Sequence, residues 1–253
     1  MARSCEQAIA LGVPSVAFTE HMEFTTSQPG DKIAGLGTDH RWWKKIRPFD
    51  VPGYMATIAE CRERYPELRI LSGVEAGEPH LFAASASAII SGNHFDRILG
   101  SLHAVPCDGG LVAADRDLFS RMPADEAMRR YLAEVVRLIE DSGLFEVLAH
   151  LDFPRRYWPH GAENFHEQEF EDEYRTVLRA LAKSGRVLEI NTKSPLASVE
   201  LVRWWRDEGG AACSFGSDAH VPGRVGDRFK LAVDIVEAAG FRPGRDRYDF
   251  WRR

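Results

Sequence analysis

Phe215-Gly216-Ser217-Asp218-Ala219-His220 closes a run of small and apolar residues, Ala211, Ala212, Cys213 and Phe215, that contains no charge. Such a run reads as a strand covered on both faces inside a parallel sheet. Its aspartate and histidine then fall where the chain leaves the sheet. In a βα barrel that end is the open one, because the βα loops gather there while the interior is packed, and catalytic and metal-binding groups collect on it.

The same arrangement recurs upstream. Val16-Ala17-Phe18 runs into Thr19-Glu20-His21, and Ile70-Leu71-Ser72-Gly73-Val74 into Glu75. Ile98 to Leu102 ends at His103, Val147-Leu148-Ala149 at His150, and Val187-Leu188-Glu189-Ile190 at Asn191. One apolar run ending in a group that binds metal or moves a proton arises easily by chance; the repetition along one chain points to a shared site. Helical patterns lie between these runs. Cys5 to Leu11 stops at Gly12, Pro52 to Tyr65 stops at Pro66, and Pro123 to Ser142 carries Met128, Leu132, Val135, Val136 and Ile139 on one face before Gly143. Phe165 to Lys183, Val199 to Glu208 and Leu231 to Ala239 complete the set, giving the alternation of parallel βα units. Two connections, roughly Phe24 to Val51 and roughly Ala104 to Met122, exceed ordinary loop lengths and predict lids, binding elements or disordered segments.

At 253 residues the chain matches the ~250 of one barrel domain, and no shift in composition divides it, so residues 1–253 are expected to form a single domain. A net charge of −6 offers no basic field for a nucleic-acid backbone. No apolar run approaches the ~20 residues of a membrane span, and the N-terminus lacks a secretory core, so a cytoplasmic protein without membrane partners is expected. Cys5, Cys61, Cys107 and Cys213 form no C-x-x-C pair and read as reduced thiols.

Thr19-Glu20-His21, Gly73-Val74-Glu75, Gly100-Ser101-Leu102-His103, Ala149-His150-Leu151-Asp152, Glu189-Ile190-Asn191 and Gly216-Ser217-Asp218-Ala219-His220 resemble, in order, the motifs of the polymerase-and-histidinol-phosphatase (PHP) family, from about residue 6 to about residue 230. The segments from Phe95-Asp96 to His103 and from His150 to Arg156-Tyr157 look most like its histidinol-phosphatase branch. The resemblance implies an α/β fold, a distorted seven-stranded βα (TIM-like) barrel, and up to three divalent metals that hydrolyse phosphate esters. It implies Glu75 as the carboxylate bridging the metals and His103 and His150 as ligands of the second metal. Asp218 would serve the first, and His21 and His220 the third. Imidazole with carboxylate suits zinc, iron or manganese.

A phosphatase also needs cations for the ester's oxygens, and Arg155, Arg156, Lys193 and Arg224 follow the strand ends closely enough to be candidates. Hydrolysis would proceed by in-line attack of metal-activated water on phosphorus, with Asp218 or His220 assisting the proton transfers. Glu20 is expected to orient His21 from behind. His40, His80, His94, His160 and His166 read as surface histidines, Trp42 and Trp43 as candidates for lining a substrate pocket, and Trp204 and Trp205 as packed against the barrel.

One family element has no counterpart. Members begin with a strand carrying Asp-x-His-x-His, whereas here no histidine precedes His21 and the chain starts in the helix after that strand. The first metal site then keeps little beyond Asp218 and Glu75. Met1 is expected to be an internal start within a longer gene; a protein with weakened metal binding is the other account, disfavoured because decay would also damage the remaining ligands. The expected activity is phosphomonoester hydrolysis on a small molecule, L-histidinol phosphate first. Another phosphoesterase acting on nucleotides, or a binding or regulatory protein, are the alternatives.

Overall fold

Strand and helix alternate as the apolar runs require. The computed structural model describes residues 1–33, 43–159, 161–193 and 195–253. In chain order these form α1 (Ala2–Ala10), β1 (Ser15–Met22), α2 (Val51–Arg64), β2 (Arg69–Gly77), α3 (Ala83–Ser91), β3 (Arg97–Ser101), β4 (Ala104–Cys107), β5 (Gly110–Ala113), α4 (Arg116–Arg121) and α5 (Ala124–Asp141). There follow β6 (Val147–Leu148), α6 (Glu171–Lys183), β7 (Val187–Asn191), α7 (Val199–Asp207), β8 (Ala212–Gly216), α8 (Phe229–Ala238) and β9 (Trp251–Arg252).

The main sheet has the order β1-β2-β3-β6-β7-β8-β9. Neighbours from β1 to β8 are parallel, and β9 joins antiparallel. The six parallel strands are the six apolar runs of the sequence, so every strand-end polar group emerges at one rim. Among the described residues the sheet curls without closing. β1 pairs only with β2, and β9 covers only Ala212 and Cys213 of β8. The seam between them is a groove lined by Val16 and Phe18 on one side and Ser214 to Gly216 on the other. β1 is consequently half-buried or exposed at every residue but Met22, unusual for a parallel strand.

Outside the curl, α5 buries Met128, Tyr131, Leu132, Val135, Leu138 and Ile139 at helical spacing, in one core with Tyr174, Val177, Leu178 and Leu181 of α6. Trp204 and Trp205 are buried there too, and Trp205 Nε1 donates to Ala212 O at 3.1 Å, tying α7 to β8. On the other flank one phenol stitches three elements. Tyr54 of α2 donates to Phe18 O (2.6 Å) and accepts from Gly73 N (2.7 Å). Helix α3 has no capping side chain of its own. Asp31 supplies one from the preceding connection, accepting from Ala84 N (2.9 Å) and Ser85 N (3.1 Å), which seats that connection against the rim.

The structure corrects several expectations. The connection from Ala104 to Met122 is an ordered β4–β5 hairpin followed by α4, because Asp108-Gly109 makes a two-residue turn with both residues at positive φ. The helix expected from Phe165 begins at Glu171, after a 3-10 turn. His80 is a buried histidine whose Nε2 lies 2.8 Å from Glu134 Oε1 of α5, whereas His94 and His166 are exposed as expected. His40, His160 and Trp42 lie outside the described residues. No helix among the described residues is long and apolar enough to cross a membrane.

Candidate metal centre

Glu75, near the end of β2, is the hub of the rim. Its Oε1 lies 2.7 Å from His150 Nε2 and 3.2 Å from His103 Nε2, and its Oε2 lies 3.5 Å from His21 Nδ1. Parallel register explains the convergence: β1 to β3 place His21 opposite Glu75 and Glu75 opposite Leu99, with His103 just past the end of β3. His150 follows β6 after Ala149. Glu75, His103 and His150 are buried, while His21 and His220 face the opening, their Nε2 atoms 3.4 Å apart.

A second layer stands behind the imidazoles. Glu23, two residues after His21 and therefore on the same side of the strand, puts Oε1 2.8 Å from His103 Nδ1 and 3.5 Å from His21 Nδ1. It takes the orienting position expected of Glu20, which is exposed on the pocket wall. Glu78 accepts from His103 N (2.5 Å) and Ala104 N (2.9 Å), and Glu189 accepts from His150 N (2.8 Å). Glu23 and Glu78 lie outside the sequence motifs, and Glu189 lies within one that assigned it no role.

Asp218 leaves β8 with φ +48°, and His150 leaves β6 with φ +20°, left-handed conformations that side chains rarely adopt and that recur where function dictates the backbone. Asp218 Oδ2 pairs with Arg156 at 2.8 Å and Oδ1 with Lys193 Nζ at 2.9 Å, and His220 Nδ1 lies 3.4 Å from Oδ1. Arg155 and Arg224 do not join them. Arg155 turns to the other side of its 3-10 turn and pairs with Asp152 (3.3 Å) and Glu167, tying that turn to the approach to α6. Arg224 pairs with Asp227 at 3.0 Å, and neither arginine lines the cavity at this rim. Of the four cations expected to hold phosphate, Arg156 and Lys193 face that cavity, which measures about 1470 Å³.

The electrostatics are those of a cation site. Burial would push Glu75 up, yet the charge on His21 and hydrogen bonds from His103 and His150 hold its carboxyl well below the usual range. Burial would push His103 down, but Glu23 and Glu75 raise it well above the usual imidazole value. Glu23 is held at about 2, against its burial, chiefly by His103. Glu78 is pushed up to about 8 by burial and then by the charge of Glu23. Raised imidazoles at His21 and His103 beside lowered carboxyls at Glu75 and Glu23 are what a pocket built around positive charge produces. Among the described residues, Glu23 Oε2, Glu78 Oε2 and His150 Nδ1 are buried with no hydrogen-bond partner, and Glu75, His103 and His150 offer ligand atoms within 4.8 Å of one another. This donor set fits zinc, iron or manganese.

A pH dependence follows for the metal-free protein. A histidine raised in the fold, as His103 is, contributes stability fully present below its ordinary value of 6.5 and lost as pH rises through the raised one. Depressed carboxylates such as Glu75 and Glu23 contribute above their ordinary 4.5 and lose it as pH falls. In chelator the melting temperature is therefore expected to peak between these limits and to decline towards alkaline pH, and zinc should flatten the alkaline decline. Thermal melts across pH with and without zinc check it; an alkaline limb that zinc leaves unchanged would contradict it.

The PHP domain family model matches residues 1–193, and the chain belongs to that family. A histidinol-phosphatase of Lactococcus lactis is 25% identical over 243 residues, covering 93% of this chain and 83% of the relative. A probable histidinol-phosphatase of Deinococcus radiodurans is 26% identical over 251 residues, covering 94% and 86%. Among solved structures, histidinol phosphate phosphatase from Lactococcus lactis, complexed with Zn, L-histidinol and phosphate, superposes with a TM-score of 0.79 over 95% of this chain and 87% of that one, at 23% identity. A putative histidinol phosphatase from Listeria monocytogenes gives 0.72 over 91% and 92%, at 20% identity. Both likenesses bear on the fold, which agrees with the distorted barrel expected from the motifs.

Proposed function

We propose that this chain is a divalent-metal-dependent phosphomonoester hydrolase whose substrate is L-histidinol phosphate, serving histidine biosynthesis in the cytoplasm, with residues 1–253 acting as one catalytic domain. The observation that carries this reading is the single carboxylate of Glu75 shared by three imidazoles in a cavity that Arg156 and Lys193 also line. Histidinol-phosphatase relatives aligned over most of the chain support the substrate. Glu75, His103 and His150 would hold the buried metal, and His21, Asp218 and His220 would complete up to three sites of zinc, iron or manganese. When bound, divalent metal supplies Lewis-acid polarisation of the phosphoryl group and a nucleophile at neutral pH.

The chain's own residues do the rest. Substrate phosphate displaces Arg156 and Lys193 from Asp218, and their donors then hold the non-bridging oxygens and offset the charge that builds there. With Nδ1 hydrogen-bonded to Asp218 O at 3.0 Å, His220 at the opening has only Nε2 left, which would either complete a metal site or, where it is not a ligand, carry a proton to the departing alkoxide or away from the attacking water. Carboxylates at Glu20, Asp50, Asp115 and Asp117 on the cavity wall suit a leaving group bearing an amine and an imidazole. Buried free thiols at all four cysteines fit a reducing compartment.

A panel of phosphate esters tests the reading. With zinc or manganese supplied, kcat/KM for histidinol phosphate is expected to exceed that for p-nitrophenyl phosphate and nucleoside monophosphates by about 10²-fold or more, as a site with paired polar contacts discriminates. Equal turnover across the panel, or a preference for nucleotides, would overturn the substrate assignment.

A further inference from the structure

His103 and His150 share a problem. Each stands just past the last paired residue of its strand, so its backbone N–H has no ladder carbonyl to donate to, and in a buried position such a donor must find a partner. The same solution occurs twice. Glu78, immediately after β2, reaches across to the neighbouring β3 end and accepts from His103 N at 2.5 Å and Ala104 N at 2.9 Å. Glu189, in β7, reaches across to the neighbouring β6 end and accepts from His150 N at 2.8 Å and Asn191 Nδ2 at 3.1 Å.

Neither carboxylate is there for its own solvation. Glu78 is 0% exposed and Glu189 8%, and burying a carboxylate costs heavily unless its hydrogen bonds are needed where it sits. The backbone makes concessions for both. Glu78 adopts φ +45°, a left-handed conformation that a glutamate rarely accepts. Glu189 packs against Gly216 so closely that a Cβ on that glycine would lie 1.8 Å from Glu189 Oε1.

We propose that Glu78 and Glu189 are positioning residues which preset the imidazoles of His103 and His150 for metal by holding their backbone N–H groups, with Gly216 conserving the space Glu189 needs. This rests on the reading of those histidines as metal ligands. The device acts on the backbone, and so fixes where each ring starts. Glu23 acts separately, on the ring nitrogen of His103.

The test is zinc affinity, measured on the whole chain by competition with a chromophoric chelator. Glu78→Ala and Glu189→Ala are expected to weaken zinc binding by about 10–100-fold, the scale on which groups behind metal ligands act. Glu78→Gln and Glu189→Gln should stay within about threefold of wild type, because an amide oxygen accepts the same N–H bonds. Gly216→Ala should weaken binding as Glu189→Ala does, and the double variant should be no weaker than Glu189→Ala alone, since both changes remove one interaction. Circular dichroism of the metal-free variants identifies any that fail to fold; the glutamine and Gly216 variants then carry the test. Glutamine variants as weak as alanine variants, or a Gly216→Ala protein with wild-type affinity, overturn the inference. Zinc binding that depends on His103 and His150 but not on Glu78, Glu189 or Gly216 overturns it alone. Binding indifferent to His103→Ala and His150→Ala overturns the metal reading as well.

Discussion

Glu75→Gln is expected to strip the centre of metal and to lower turnover by about 10³-fold or more, the scale of losing charge stabilisation at a reacting phosphate. The size follows from the hub geometry. One carboxylate serves His150 at 2.7 Å, His103 at 3.2 Å and His21 at 3.5 Å. The amide keeps the shape but removes the negative charge, and it turns an NH2 group towards at least one imidazole or metal position. Ligands that remain are neutral imidazoles and carboxylates farther out, which cannot share two cations through one side chain. Metal content by mass spectrometry and turnover should fall together. A Glu75→Gln protein with wild-type metal content would show that the cluster is an ion-pair network and not a metal centre.

Asp218→Asn is expected to lower turnover by about 10²–10³-fold while leaving the metal-free melting temperature within a few degrees of wild type. Asparagine accepts the left-handed backbone found at position 218, so the local turn survives. Its lost charge leaves Arg156 and Lys193 without their anion, but Lys193 is 40% exposed at the side chain and water can solvate it. Function, in contrast, depends on the charge and on its link to His220. Melting and turnover measured side by side decide the matter; a large fall in the metal-free melting temperature would make Asp218 a structural residue.

The six parallel strands were legible because each contains a short, mostly apolar run, the pattern of strands inside a parallel sheet. His21, Glu75, His103, His150 and Asp218 were legible because each ends or closes such a run, and parallel register brings those ends together. Glu23 had a readable signal, its period-two relation to His21. Glu189 had one as well, flanked on both sides by the apolar residues Val187, Leu188 and Ile190 of its strand, whereas nothing local marks Glu78. Their role depends on which strand lies alongside, a tertiary fact. Arg155 and Arg156 are adjacent, and only the 3-10 turn decides that one faces Glu167 and the other Asp218. The Asp108-Gly109 turn was a hairpin signal hidden within an apparently irregular stretch. Helix α3, rich in alanine and serine and capped from a distance by Asp31, shows neither a strong apolar stripe nor a capping residue of its own.

Anomalous X-ray scattering from crystals grown with zinc tests the central claim most directly, since it locates the metal without reference to activity. The account predicts a zinc peak within about 2.0–2.2 Å of Glu75 oxygen and of His103 and His150 nitrogen, with further peaks towards His21, Asp218 and His220. Fully occupied zinc elsewhere in the molecule, with Glu75 still hydrogen-bonded to His103 and His150, would contradict it.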